Sequence, residues 1–155
     1  MDGVVADLFL SATAGADMRG EDELEVHASG VVGDRYASEN GSWSSKPASG
    51  RALTLIEEEA IEAVRRDYGI DLEPGATRRN VVTRGVALNH LVGRTFRVGE
   101  VEVIGVRLAE PCAHLESLTA KGVRRAFVHR GGLRCEVASG GRIRVGDAVR
   151  TLEDR

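Results

Sequence analysis

The chain has 155 residues, of which 42% are hydrophobic, 29% charged and only 4% aromatic. This length predicts a single domain over residues 1–155, and the composition excludes a disordered chain and a membrane-spanning one. The net charge is −3 and the pI is 5.8, a balance that argues against binding to duplex DNA or any other nucleic acid.

The first part of the chain has the pattern of β-structure. Apolar residues over Val4–Leu10 and alternating apolar positions over 24–28 predict two strands, separated by a Gly-rich and acidic loop over 14–23. A Ser- and Gly-rich stretch, Ser38–Gly50, is predicted to be a long loop. Trp43 within it either covers a ligand or fills a gap in the packing.

One well-formed helix is predicted next. Thr54 and Glu57 have the spacing of a capping box, in which the hydroxyl and the carboxylate each accept a backbone N–H at the helix start. The helix is expected to run from about Leu55 to Tyr68, and Gly69 is expected to end it in the left-handed conformation. Its run of acidic residues in the first turn is ordinary helix chemistry, so no catalytic carboxylate pair is predicted there.

The second half of the chain predicts mostly strands. Gly99-Glu100 and Gly140-Gly141 predict turns between these strands, and the pattern over Val123–His129 predicts a short helix. The predicted strands are Arg79–Thr83, Thr95–Val98, Val101–Leu108, Leu133–Val137 and Ile143–Thr151. The fold class is therefore mainly β, a small β-barrel with one well-formed helix and a few short helices.

Cys112 is the principal candidate for chemistry. It follows Pro111 just beyond a predicted strand, where a thiol is expected to be accessible to solvent rather than packed. Nearby His114 favours the thiolate, the form of cysteine that attacks electrophiles or binds metals. A small buried hydrophobic residue is the alternative role. Cys135 alternates with apolar residues of a strand, which predicts core packing. Two cysteines cannot form a disulfide framework and no secretory leader is seen, so a cytoplasmic protein is expected.

Two other kinds of site receive little support from the sequence. Cys112, His114, His129 and Cys135 include enough ligand types for zinc, but no CxxC or HExxH spacing brings them together. A serine hydrolase would need a GxSxG motif, which the sequence lacks. A hydrolase that uses the Cys112 thiol stays open as an alternative.

Positive charge is concentrated where it could bind a small anion. Residues 1–77 carry 6 basic and 16 acidic side chains, whereas residues 78–155 carry 15 and 8. Arginine, whose planar guanidinium suits phosphate and carboxylate, supplies all the basic residues except Lys46 and Lys121. Three arginine-bearing turns lie along the chain, at Gly33-Asp34-Arg35, Arg78-Arg79-Asn80 and His129-Arg130-Gly131-Gly132.

Together with Cys112, these turns resemble the MOSC domain, the family named after the C-terminal domain of molybdenum cofactor sulfurases. The resemblance extends over about residues 24–150. The stretches that carry it are Gly33-Asp34-Arg35, Arg51 with Leu53-Thr54-Leu55-Ile56, Arg78-Arg79-Asn80-Val81, Glu110-Pro111-Cys112, His129-Arg130-Gly131-Gly132-Leu133 and Ile143-Arg144-Val145-Gly146-Asp147.

This resemblance implies a MOSC-type β-barrel that binds the molybdenum cofactor, a phosphorylated pyranopterin dithiolene. Cys112 is implied to be a metal ligand or sulfur carrier, and His114 and His129 are expected to assist it catalytically. The implied cofactor-binding residues are Asp34, Arg35, Arg79, Asn80 and Arg130. Thiolate is a soft ligand of the kind that a molybdenum–sulfur centre accepts, and guanidinium groups pair well with phosphate.

Two functions are compatible with this resemblance. In the favoured one, the protein is a stand-alone oxidoreductase that acts on small N-hydroxylated compounds and receives electrons from an external donor. In the other, it is a sulfur carrier, with a Cys112 persulfide, or a cofactor-binding module in molybdenum cofactor sulfuration. Pyridoxal phosphate is not expected in this chain, so the sulfur carrier would depend on a separate cysteine desulfurase.

Overall fold

The structure is a computed structural model that describes residues 2–35 and 50–152. The predicted loop Ser38–Gly50, with Trp43, lies outside the described residues except for Gly50. Short 3₁₀ helices occupy Pro74–Thr77 and Leu88–Leu91. The described strands and helices are, in chain order, β1 (Asp2–Leu10), β2 (Arg19–Glu21), β3 (Glu23–His27), β4 (Gly30–Val31), β5 (Leu53–Glu57), α1 (Glu58–Tyr68), β6 (Val81–Arg84), β7 (Thr95–Val98), β8 (Val101–Leu108), α2 (Ala113–Leu118), α3 (Val123–Ala126), β9 (Leu133–Ser139), β10 (Gly141–Arg144) and β11 (Ala148–Thr151).

Seven of these strands close into a barrel, as the predicted fold class requires. The strand order is β11-β7-β8-β9-β5-β6-β1, and β1 pairs with β11 to complete the ring, while β2 extends β1 outside it. All pairs in the barrel are antiparallel except β5 and β6, which are parallel because α1 connects them across the outside. A separate sheet of β10, β3 and β4 packs against the barrel.

Two apolar clusters stabilise this arrangement. The larger fills the barrel, and the small sheet contributes Leu24, Val26 and Ile143 to it. The second cluster lies outside the barrel wall, between α1, α2 and α3. Alternation along β5 separates the two clusters, since Leu55 faces the interior and Ile56 faces the helices.

The helix start predicted at Leu55 is wrong. Leu55 to Glu57 continue β5, and α1 begins at Glu58 with no side-chain cap at Glu57. The hydroxyl of Thr54 hydrogen-bonds with Asn80 instead of a helix terminus, because β5 lies between β6 and β9 in the barrel. The predicted end is confirmed, since Gly69 has φ 67° and its N–H donates to the carbonyl of Arg65.

The strand predictions are confirmed in most of the second half. Thr95–Val98 and Val101–Leu108 have the predicted bounds and form an antiparallel pair. The strand predicted over Ile143–Thr151 is wrong, because a turn at 145–147 divides it into β10 and β11. The predicted break at 140–141 does lie between β9 and β10, but these two strands do not pair as a hairpin, because β10 pairs with β3 of the small sheet. Among the described residues, no helix has the length and apolar character needed to cross a bilayer.

Candidate functional site

Cys112 lies at the point where β8 gives way to α2. Its backbone is extended, with φ −132° and ψ 170°, and its Sγ accepts a weak hydrogen bond from the N–H of Leu115 at 3.5 Å. The Cys112 side chain is exposed, whereas Cys135 is completely buried in β9. Burial also raises the pKa of the Cys135 thiol far above its usual range. The predicted difference in exposure between the two cysteines is confirmed.

Buried Arg79 holds the loop that carries Cys112. Its Nε donates to the carbonyl of Gly131 at 2.9 Å, and its Nη2 donates to the carbonyl of Ala109 at 3.0 Å. The side chain is 7% exposed, so the two carbonyls provide the guanidinium with polar partners that water would otherwise supply. Arg79 therefore joins the start of the Cys112 loop to the turn before β9.

A second contact joins the same two segments at the surface. Glu110 Oε1 accepts a hydrogen bond from the backbone N–H of His129 at 2.8 Å. Glu110 Oε2 lies 3.0 Å from Nδ1 of the His129 ring. A carboxylate only accepts, so the contact places the proton of a neutral His129 on Nδ1 and leaves Nε2 as the acceptor. The His129 ring is mostly exposed, and its backbone is left-handed, with φ 62°.

Close backbone packing explains the glycines that follow His129. The N–H of Ala109 donates to the carbonyl of Gly132 at 2.8 Å. A Cβ atom on Gly131 would overlap the carbonyl oxygen of Ala109, and one on Gly132 would overlap that of Leu55. Only glycine allows the turn to approach both β5 and the Cys112 loop this closely.

Asp34 and Arg35 form a buried ion pair on the other side of the 78–80 segment. Arg35 Nη1 lies 3.2 Å from Asp34 Oδ1, which also accepts the N–H of Ser11. Arg35 further contacts the sulfur of Met18 and the carbonyl of Arg78. The predicted anion-binding turn therefore has its charges engaged within the protein.

An open groove of about 500 Å³ lies beside this ion pair. Its walls combine apolar side chains with one guanidinium and two carboxylates, and the end of α2 contributes Leu118. Its lining consists of Phe9, Gly15, Asp17, Met18, Glu73, Pro74, Gly75, Ala76, Arg78 and Leu118. The volume is in the range of small-molecule binding sites.

The remaining predicted residues differ in their surroundings. Asn80 is buried and cross-links strands, accepting from Thr54 and donating to the carbonyl of Phe9. Arg130 bonds to the carbonyl of Ala126 and lies over the ring of Tyr68, so it faces α1. His114 is exposed in the first turn of α2.

The structure brings Cys112, His129 and Arg79 to one loop cluster, and it places Asp34 and Arg35 beside the groove. The segment Arg78–Asn80 links these two places. Sequence reasoning missed the role of Glu110, although that residue stands in the Glu110-Pro111-Cys112 motif. It also left Arg78 out of the implied cofactor-binding residues, although Arg78 stands in the Arg78-Arg79-Asn80 motif, and it did not single out Met18 at the groove.

The donor set fits a metal that brings most of its own ligands. Within residues 2–35 and 50–152, no three His, Cys, Asp or Glu side chains cluster as a metal site would require. A cofactor whose dithiolene holds the metal needs only one soft ligand from the protein, and the exposed Cys112 thiol is of that kind. The groove has the volume of a small-molecule site; Cys112 is not among its lining residues, and its charged side chains are Arg78, Asp17 and Glu73.

Comparison with known structures agrees with the fold. The structure is similar to that of YuaD from Bacillus subtilis, with a TM-score of 0.80 at 16% identity over 99% of this chain and 98% of that one. It also resembles YiiM from Escherichia coli, with a TM-score of 0.69 at 18% identity over 100% of this chain and 71% of that one. YiiM from Geobacillus stearothermophilus gives 0.69 at 15% identity, over 97% and 73%.

At these identities the structural likeness establishes the fold alone. A search among curated proteins finds no match by sequence. The sequence pattern of the MOSC domain, however, matches residues 24–150, which is most of the chain and includes the Cys112 loop, Arg79 and Arg35. The chain therefore belongs to the MOSC domain family.

Proposed function

We propose that this protein binds the molybdenum cofactor through Cys112 and reduces small N-hydroxylated compounds with electrons from an external donor protein. The observation that carries the proposal is the exposed thiol of Cys112 on a loop that buried Arg79 holds in place through two hydrogen bonds to backbone carbonyls. A metal ligand must reach the cofactor and keep its position, and this loop meets both needs. The cytoplasm is the proposed location.

Each turnover converts an N–OH group and two protons, with two electrons, into N–H and water. When bound, the cofactor supplies the redox-active metal for this reaction. Cys112 holds the metal, and Arg79 acts as a positioning residue through the carbonyls of Ala109 and Gly131. His129, with its Nδ1 proton directed at Glu110, keeps Nε2 open to exchange protons with water near the reacting group.

Arg78 is the residue that would hold an anionic end of the cofactor, at the wall of the groove. Arg78 supplies a guanidinium to the groove wall, and the Asp34–Arg35 pair supports that wall from behind. Arg79 and Asn80 then contribute by fixing the loop and the strands rather than by touching the cofactor. Arg130 similarly braces α3 against α1.

Sulfur transfer is the second candidate function, and the exposure of Cys112 favours it as well. A persulfide on an accessible thiol can be delivered to a cofactor or received from a partner enzyme. In this case a separate cysteine desulfurase would supply the sulfur, and the chain itself would need no pyridoxal phosphate.

The test is the molybdenum content of protein purified from a host supplied with molybdate. Wild-type protein is expected to retain the metal and the pterin fluorescence, and Cys112→Ser is expected to lose the metal, because a hydroxyl stays protonated and is a harder ligand. Both proteins should unfold within about 2 °C of each other, since the substitution opens no core cavity.

Ala113→Ser is the matched control, because it adds a hydroxyl to the neighbouring exposed position of α2. Full metal retention by Cys112→Ser would exclude Cys112 as the ligand. Retention of metal without reduction of a benzamidoxime probe by dithionite would favour sulfur transfer. If wild-type protein holds neither metal nor pterin, a cofactor-independent use of the thiol, such as hydrolysis, replaces the proposal.

A further inference from the structure

A short segment of the chain that includes Cys112 lies outside the barrel. Residues 111–128, which we call the α2–α3 segment, leave the barrel after Glu110 and return at His129, and these two residues are in direct contact. The segment is anchored from beneath by Leu115, Val123 and Phe127 in the second apolar cluster. Because α2 is only about 9 Å long and packs against α3, the segment stays close to the loop that carries Cys112.

This segment carries a surplus of positive charge. Lys121, Arg124 and Arg125 are exposed and form no ion pair with any residue that the structure describes. Its one carboxylate, Glu116, accepts the N–H of Gly122 within the segment. Part of the positive charge of the second half of the sequence therefore lies on the segment that carries Cys112.

The acidic residues nearby do not neutralise these three cations. Asp67, at the end of α1, is bonded to Arg66 and lies 3.9 Å from Arg130. Glu110 is occupied by His129. Asp71 and Glu73 lie in the stretch between α1 and the 3₁₀ helix at Pro74–Thr77, and Glu73 lines the groove.

Two large apolar side chains are exposed on the same segment. Leu118 is 40% exposed at the end of α2, and Val128 is 48% exposed after α3. Apolar side chains surrounded by charged ones are typical of transient protein–protein interfaces. Leu118 also lines the groove, but a free anion would be recognised by the cations alone and would leave Val128 without a role.

We propose that the α2–α3 segment is the docking surface for the acidic face of the external redox protein that supplies electrons. This inference rests on the proposed function, and it adds the site and the chemistry of the partner. Charge complementarity selects the occupant, since Lys121, Arg124 and Arg125 attract carboxylates and raise the rate of encounter. Docking here brings a donor next to Cys112, where the electrons are needed.

The experiment uses flavodoxin, a small acidic flavin protein, as the probe. Its dissociation constant is measured by titration at several salt concentrations with the metal-loaded protein and with the double variant Arg124→Glu, Arg125→Glu. The matched control is Arg97→Glu, Arg150→Glu, which makes the same change of charge on neighbouring exposed positions of β7 and β11. Reduction of the benzamidoxime probe by dithionite is measured for all three proteins.

Wild-type protein is expected to bind flavodoxin more weakly as salt rises, and the docking variant is expected to bind ~10-fold more weakly at low salt, while the control stays within ~2-fold. Turnover with dithionite should be equal in all three. Absence of salt-dependent binding, or an equal loss in both variants, would overturn the docking surface.

Three further outcomes separate this proposal from others. Dithionite turnover with unchanged flavodoxin binding in the docking variant would leave the proposed function intact and reject the surface. Loss of turnover in every protein would reject the proposed function, whatever the binding shows. If vesicles of phosphatidylglycerol bind in a way that depends on Arg124 and Arg125, and flavodoxin does not bind, the surface contacts lipid instead and the proposal is wrong.

Discussion

The two cysteines of this chain show how strongly position determines the chemistry of one side chain. Cys112 lies on a loop at the end of β8 and is open to solvent, whereas Cys135 is enclosed in β9 between β5 and β8. Burial stabilises the neutral thiol of Cys135 and raises its pKa, so it does not ionise at neutral pH. The barrel uses one thiol for packing and presents the other for reaction.

Thiol labelling of the native protein gives the largest expected contrast. Cys112 should react at the rate of an exposed thiol. Cys135 should react at least ~10³-fold more slowly, because a reagent reaches it only after the barrel opens. Mass spectrometry of peptides after timed alkylation at neutral pH measures both rates, and labelling in denaturant is the control. Faster modification of Cys135 would contradict the assignment of the reactive thiol.

Removal of the Arg79 side chain tests whether the Cys112 loop is fixed from beneath. Arg79→Leu leaves the carbonyls of Ala109 and Gly131 without donors, each at a cost of about 1–3 kcal/mol in the free energy of unfolding. Urea denaturation measures the loss. In the surviving folded protein, proteolysis should cut the α2–α3 segment sooner than in the wild type.

Arg84→Leu provides the matched control, since Arg84 is an exposed arginine that pairs with Glu58 on the surface. Its effect on unfolding is expected to be much smaller than that of Arg79→Leu. Equal effects of the two substitutions would mean that Arg79 does not brace the loop in solution.

The smallest expected effect is that of His114→Ala. His114 is exposed two residues after Cys112, where it can relay a proton, so turnover should fall by at most ~10²-fold while molybdenum content stays at the wild-type value. His27→Ala, at an exposed position of β3, is the control and should leave both quantities unchanged. Loss of metal from His114→Ala would instead make His114 a ligand.

Local patterns were sufficient to predict the strands whose neighbours lie next in sequence. β7 and β8 alternate regularly and are joined by Gly99, which adopts a positive φ, so their bounds follow from period and turn chemistry. The start of α1 failed for the opposite reason. The barrel takes 53–57 as a strand between β6 and β9, and these tertiary pairings override a capping-box pattern at Thr54 and Glu57.

The site shows the same division between local and distant information. The exposure of Cys112 follows from its neighbours in the chain, and this was predicted. α2 was not predicted, because its six residues are too short for a periodic pattern and its first turn is capped weakly by a thiol. The contacts of Arg79 join positions 30 and 52 residues away, which no single sequence reveals.

The pairing of β1 with β11 has a consequence for the order of folding. Asp2 lies opposite Arg150 and Val4 opposite Ala148, so the seam of the barrel joins strands from opposite ends of the described chain. During synthesis the ring cannot close until β11 has left the ribosome, and a contact of such long sequence separation forms slowly. Until then β1 and β7 keep open edges, so a nascent or truncated chain exposes the strands most prone to pair with other molecules.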